Sequence, residues 1–264
     1  MENKENVLIP QSAVDVSYTA RIKIYPDGNC SILCADVPFF RESGWESSDK
    51  PDRKTRGGHD VERSIRRARS KLRDIALSSN FKYFVTLTLD KEKIDRYDTT
   101  VIIKKLQTWL DNNVRRRGLS YALVPERHQD GAIHFHGFFN DSLPVVFSGH
   151  YDENGHEIYN LPRWGFGFST AISLYGDYSR AVGYVCKYIG KQTEKIGGRW
   201  YYSGGDLGSP DVIYSDLNYS DIFSVEGAYS FAVEGVSARF VVLNIPLEAC
   251  GKLCGKLPRD ASYI

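Results

Sequence analysis

The stretch Gly131-Ala-Ile-His134-Phe135-His136-Gly-Phe-Phe carries two imidazoles two residues apart in an otherwise apolar run. Side chains alternate faces along a strand, so His134 and His136 share one face while Ile133 and Phe135 take the other. A lone strand histidine is ordinarily structural, but two at this spacing can share a divalent ion. A third donor follows if Gln129-Asp130-Gly131 is a three-residue hairpin loop with Gly131 in the left-handed conformation. Paired residue numbers then sum to 260, and Glu126 stands opposite His134 on the same face. A two-residue turn would slip the register by one and send Glu126 to the other face. Two imidazoles and a carboxylate suit Mn²⁺ or Mg²⁺ with positions left for phosphate oxygens. The plainer alternative makes Glu126 a partner of Arg127 or His128.

A second constellation is Gly183-Tyr184-Val-Cys-Lys187-Tyr188-Ile-Gly-Lys191. On a helix Tyr184, Lys187, Tyr188 and Lys191 form one stripe, and Val182, Val185, Cys186 and Ile189 form a separate apolar one. A buried tyrosine with a wet tip is an ordinary core residue. Two tyrosines alternating with two lysines beside a dedicated apolar stripe point instead to nucleophiles. A phenol titrates near 10 and needs nearby positive charge to reach phenolate, which Lys187, Lys191 and a metal can supply.

The elements that position these groups are legible from periodicity. Residues 14–37 alternate as two strands around Pro26-Asp27-Gly28-Asn29, and 41–59 reads as a polar loop. Asp60 to Ser79 has a helical apolar stripe of Ile65, Ala68, Leu72, Ile75 and Ala76. A strand is expected over 81–90, a helix over 99–117 ending at Gly118, and strands over 120–128 and 133–140. Residues 141–164 form an insertion with a hairpin turn at Asn154-Gly155. A strand over 165–174 then leads into the tyrosine helix at about 177–192, with a closing strand at 199–203 and another at 238–244. Strands alternating with helices imply an α+β fold, one central antiparallel sheet with helices packed on one side.

Composition narrows the setting. Hydrophobic residues at 42% and charged residues at 25% are the globular average, which excludes wholesale disorder. The start MENKENVLIPQS has no basic flank leading into an apolar stretch, and no apolar run reaches about 18 residues, so neither a signal peptide nor a membrane span is expected. Five cysteines are too few for a disulfide scaffold, so a reducing cytoplasm is expected. The pairs Cys30/Cys34 and Cys250/Cys254 have an atypical spacing for a four-cysteine zinc site and fit equally as small apolar residues. Trp200, Tyr201 and Tyr202 suit base stacking or, more commonly, a core strand.

The net charge of +1 conceals a polarity. Residues 206–264 carry eight acids against four Lys/Arg. Between Arg53 and Arg73 there are nine Lys/Arg against two acids. That density suits a polyanion, with Arg66, Arg67 and Arg69 as phosphate contacts, although a solvated helix face has the same appearance.

With these motifs in this order, the chain resembles a rolling-circle replication initiator of the HUH endonuclease superfamily, of the two-tyrosine type found in small single-stranded DNA phages, prophages and plasmids. Phe84-Val-Thr86-Leu-Thr88-Leu resembles the family's first motif, His134-Phe-His136 the second, and Tyr184-x-x-Lys187-Tyr188-x-x-Lys191 the third, in the family's order. Glu126 precedes His134 as in initiators whose third metal ligand lies before the pair. The resemblance covers about residues 63–205. It implies an RRM-like endonuclease domain at 61–205, preceded by an N-terminal hairpin and polar loop at 1–60. An acidic extension with strand-like pieces follows at 206–264. It also implies that Tyr184 and Tyr188 attack DNA with Lys187 and Lys191 assisting, that Glu126, His134 and His136 hold Mn²⁺ or Mg²⁺, and that Thr86 and Thr88 contact DNA. The partners implied are single-stranded origin DNA and host replication proteins in a bacterial cytoplasm. The rival readings are an HUH transposase or relaxase, and a non-catalytic nucleic-acid-binding module on the same fold.

Overall fold

The computed structural model describes residues 16–41, 58–174, 178–191, 194–232 and 237–254. In chain order the elements begin with β1 (Val16–Ile24), β2 (Asn29–Arg41) and α1 (Gly58–Ser78). Next come β3 (Tyr83–Thr88), α2 (Thr99–Arg117), β4 (Tyr121–Arg127) and β5 (Ile133–Phe139). The insertion supplies β6 (Val146–Tyr151) and β7 (Glu157–Asn160), followed by β8 (Ser169–Ser173), α3 (Tyr178–Lys191) and β9 (Tyr202–Gly204). The C-terminal part holds β10 (Asp211–Ser215), α4 (Tyr219–Phe223), β11 (Tyr229–Ala232), β12 (Arg239–Pro246) and α5 (Leu247–Leu253). The fold is α+β with two antiparallel sheets. Among the described residues no helix is long and apolar enough to cross a membrane. Most of the polar loop expected at 41–59 lies outside the described residues.

The described residues between 54 and 210 make one compact unit. Its sheet has the order β6-β7-β8-β3-β5-β4-β9. Alternation divides this sheet into two faces. Val85, Leu87, Leu123, Ile133 and Phe135 on one face pack with Ile102, Ile103, Leu106 and Leu110 of α2 into a buried cluster. The opposite face carries Phe84, Thr86, His134 and His136 and is covered by α3, which lies along α1. The expectation of helices on one side is thus corrected: α2 takes one face, and α1 and α3 the other. The α2 stripe and the α1 and α3 stripes are all apolar, so periodicity alone carries no information about which face each covers. Helix α2 itself is bounded as its sequence suggests. Asp98 accepts a hydrogen bond from the Val101 amide at 3.0 Å, and Gly118 ends the helix at φ 70°.

The described residues of 1–53 and 211–264 together form the other compact unit. Its sheet has the order β10-β1-β2-β12-β11, so the C-terminal strand β12 pairs along the N-terminal β2 from Ala35↔Phe240 to Asn29↔Pro246. The N-terminal hairpin and the C-terminal extension therefore share one sheet and one core, which includes Ile22, Ile32, Ile222, Val241 and Leu243. All five cysteines are free. A four-cysteine zinc site is not formed: Cys34 Sγ turns to the Leu217 carbonyl at 3.5 Å, away from the Cys250–Cys254 pair, whose sulfurs are 3.7 Å apart.

Candidate active site

The β4–β5 hairpin sets the geometry of the site. His128 N donates to Ala132 O at 2.8 Å and Gly131 adopts φ 85°, leaving Gln129-Asp130-Gly131 as a three-residue loop. Glu126 accordingly pairs with His134, and the whole ladder keeps the sum of 260. β3 lies on the other side of β5, with Thr86 opposite His136 and Thr88 opposite His134. Glu126, Thr86, Thr88 and both histidines therefore face the same way.

The side chains converge diagonally. Glu126 Oε2 is 3.0 Å from His136 Nε2, and its Oε1 accepts a hydrogen bond from Lys191 Nζ at 3.1 Å. His136 Nδ1 lies 3.2 Å from Thr86 Oγ1. The His136 ring stacks on Tyr188 at 4.3 Å with only 6° between planes, and Lys191 Nζ sits over the Tyr188 ring at 4.4 Å. Tyr188 is 5% exposed and Tyr184 is 49% exposed. Tyr188 Oη donates to Tyr184 Oη at 2.5 Å. The Phe84 and Tyr184 rings meet edge to face at 5.9 Å.

Burial sets the electrostatics. Burial is the largest influence holding both His134 and His136 below the ordinary imidazole range; the Glu126 carboxylate opposes it at His136, and neighbouring His128 reinforces it at His134. Burial also drives the Tyr188 phenol well above its usual range, with its hydrogen bond to Tyr184 and the Glu126 charge adding to the rise. Both imidazoles are thus suited to act as neutral donors at neutral pH.

Among the described residues no three His, Cys, Asp or Glu side chains close on one point. Glu126 and His136 have converged, whereas His134 stacks on His128 at 5.2 Å and its ring centre is 6.5 Å from that of His136. The donor chemistry nonetheless suits a divalent ion. His136 Nε2 is buried, faces a carboxylate, and makes no hydrogen bond of ordinary geometry. With Nδ1 protonated and donating to Thr86, Nε2 presents a lone pair toward Glu126.

Of the other residues singled out in the sequence, Lys187 is exposed on α3 and stands apart from these contacts. Arg66 and Arg67 are exposed on α1, while Arg69 Nε donates to the Cys186 carbonyl at 3.2 Å and ties α1 to α3. Trp200 and Tyr202 are core residues: Trp200 Nε1 donates to Ser64 Oγ at 2.9 Å and Tyr202 is 2% exposed. Two contributors escape the sequence pattern. His128, beyond the strand end, backs His134, and Phe84 packs on Tyr184. Strand pairing across β3 is the signal that would have found Phe84.

Comparison with known proteins bears on this same region. Residues 82–193 match a family model of replication-associated proteins of the ORF2 type. The match covers less than half of the chain, but it runs from β3 to the end of α3 and so contains every residue of the cluster. Neither the curated proteins nor the solved structures give a significant match.

Proposed function

We propose that the chain is a replication initiator that nicks single-stranded DNA at an origin through a tyrosine nucleophile and a divalent metal, and so starts rolling-circle replication. The observation that carries this reading is the pair of tyrosine hydroxyls at 2.5 Å, beside a buried carboxylate–imidazole pair on one sheet face. The match to replication-associated proteins over the same residues supports it. So does the basic surface of α1, which suits a polyanion through counterion release.

Glu126, His136 and His134 would hold Mn²⁺ or Mg²⁺, which when bound polarises the scissile phosphate and stabilises its developing charge. The chain's own groups do the rest. Tyr184 is the accessible phenol, and the hydrogen bond it accepts from Tyr188 favours its phenolate. Its Oη forms a bond to phosphorus as the bond to the 3′ oxygen breaks. The phenol proton is released, and the 3′ oxygen leaves and gains a proton. The products are a 5′-phosphotyrosine link and a free 3′-hydroxyl for a host polymerase. Tyr188, one helical turn along, then faces the same phosphate for a second transfer that releases a circle. Lys191 orients Glu126 and neutralises its charge, and Lys187 is available to the DNA backbone. Arg66, Arg67, Arg69 and Thr88 supply further contacts. The setting would be a bacterial host cytoplasm. Incubating the protein with labelled single-stranded origin DNA and Mn²⁺ tests the reading: a denaturant-resistant protein–DNA adduct is expected, whereas salt-sensitive binding without an adduct would favour a non-catalytic binding module.

A further inference from the structure

Outside the cluster, Tyr184 also lines a groove of about 620 Å³ that the mechanism above does not use. The floor is Phe84 and Ile172, paired across β3 and β8 on the face that bears His136. Arg180, Ala181 and Tyr184 of α3 form one wall, and Glu153, Asn154 and His156 of the β6–β7 turn form the other. The turn is firmly built. Asp152 Oδ1 accepts from the amides of Asn154 at 2.9 Å and His156 at 2.8 Å, and its Oδ2 meets His156 Nδ1 at 3.0 Å. Gly155 takes φ 82°, a value that favours glycine, and completes the three-residue loop. Glu153 and Asn154 are both exposed at its tip and border the groove.

We infer that this groove reads the nucleotide beside the scissile phosphate, with an unpaired base lying between the β6–β7 turn and α3. The inference rests on the proposal that Tyr184 attacks DNA. A substrate strand that places its phosphate at Tyr184 Oη must continue past that residue, and the groove is the concavity that begins there on the same sheet face. Its chemistry suits a base. Phe84 and Ile172 offer an apolar floor for a ring, and aromatic contact tolerates any base. At the edge, an asparagine amide pairs with adenine N6 and N7, and a carboxylate accepts from an exocyclic amino group. Arg180 places a guanidinium on the α3 wall, where a phosphate of the same nucleotide would run. The groove therefore separates selection from chemistry: α3 supplies the nucleophile and the hairpin supplies the choice of base.

The test uses the full chain, Mn²⁺ and a pool of single-stranded oligonucleotides randomised at the positions flanking the cleavage site. Adducts are captured and their DNA sequenced for wild type, for E153A/N154A, and for N154D. The wild type should favour one base at one flanking position by about tenfold or more, the scale of a good edge contact. E153A/N154A should reduce that preference to within about twofold while still forming adduct, because the edge contacts are gone and the nucleophile is intact. N154D keeps the turn but replaces a donor edge with acceptors, so its preference should move toward cytosine, whose N4 donates. A wild type with no flanking preference, or variants with the wild-type preference, would overturn the inference while leaving the nicking reading in place. A wild type that forms no adduct with any member of the pool would overturn both.

Discussion

Glu126 stands directly opposite His134 in the β4–β5 ladder, yet its carboxylate touches His136, the diagonal neighbour, at 3.0 Å. Diagonal pairs lie within reach of a long side chain on a twisted sheet. The consequence is a polar chain that crosses four elements: Thr86 of β3, His136 of β5, Glu126 of β4, and then Lys191 of α3. Every link joins a motif that is separate in sequence, so each is expected to fail in a characteristic way.

Removing a donor should stop the chemistry and spare binding. E126A and H136A should each lower adduct formation by at least about 100-fold, whereas affinity for single-stranded DNA should change little because basic side chains carry it. H134A tests whether the third donor joins when an ion is present. Calorimetric titration with Mn²⁺ should show weaker binding in all three variants, and an H134A protein with unchanged Mn²⁺ affinity would restrict the site to Glu126 and His136.

Backbone packing beneath the site makes a separate prediction. A Cβ at Gly137 would lie 1.9 Å from the Ala122 carbonyl oxygen and 2.8 Å from Leu123 Cα, both backbone atoms of β4. G137A must therefore push β5 away from β4 next to His136. It should cost about 1–3 kcal/mol of stability by denaturant titration. The loss should be accompanied by weaker Mn²⁺ binding, and an unchanged midpoint would show that the hairpin accommodates the methyl.

The buried imidazoles give stability a definite pH dependence. Both His134 and His136 titrate below the ordinary imidazole value of about 6.5, chiefly through burial. The unfolded chain then takes up protons before the folded site does. Stability is complete above the ordinary imidazole value and falls as pH drops below it toward the lowered folded values. Urea midpoints of the metal-free protein should decline from about pH 7.5 to about 5.5, and the decline should flatten in H134N/H136N. An equal decline in that variant would assign the effect to other groups.

The basic helix should act through long-range charge. R66Q/R67Q should weaken binding to every single-stranded DNA and flatten the salt dependence by about 0.7 of a unit of slope per lost contact. R69Q should in addition lower thermal stability, because Arg69 holds the Cys186 carbonyl of α3. An unchanged slope in R66Q/R67Q would make this face a solvated one.

The parts of the molecule governed by local periodicity are readable from the chain alone. The three-residue loop with Gly131 sets the β4–β5 register, and the register sets the common face of Glu126 and His134. Asp98 and Gly118 bound α2 for local reasons too. What depends on long-range pairing is not readable in this way. Nothing in the alternation of 29–37 or 239–246 says that β2 and β12 are neighbours, because either could pair with any half-buried strand. The placement of α2 opposite α3 is hidden for the same reason, and so is the role of Thr86, which reaches His136 only because β3 inserts beside β5. Both lysines of α3 have the right spacing, yet spacing alone does not distinguish Lys191, which holds Glu126, from exposed Lys187.

The hydrogen bond between Tyr188 and Tyr184 is the claim on which the account turns. Two hydroxyls at this distance can reach one phosphorus, with exposed Tyr184 attacking first and Tyr188 accepting the second transfer. The direct measurement is peptide mapping by mass spectrometry of the adduct formed with origin DNA and Mn²⁺, in wild type, Y184F, Y188F and Y184F/Y188F. The account predicts an adduct on Tyr184 in wild type and Y188F, a slower adduct on Tyr188 in Y184F, circle release in neither single variant, and no adduct in the double. An adduct that persists in Y184F/Y188F, or a Y188F protein that still releases circles, would contradict it.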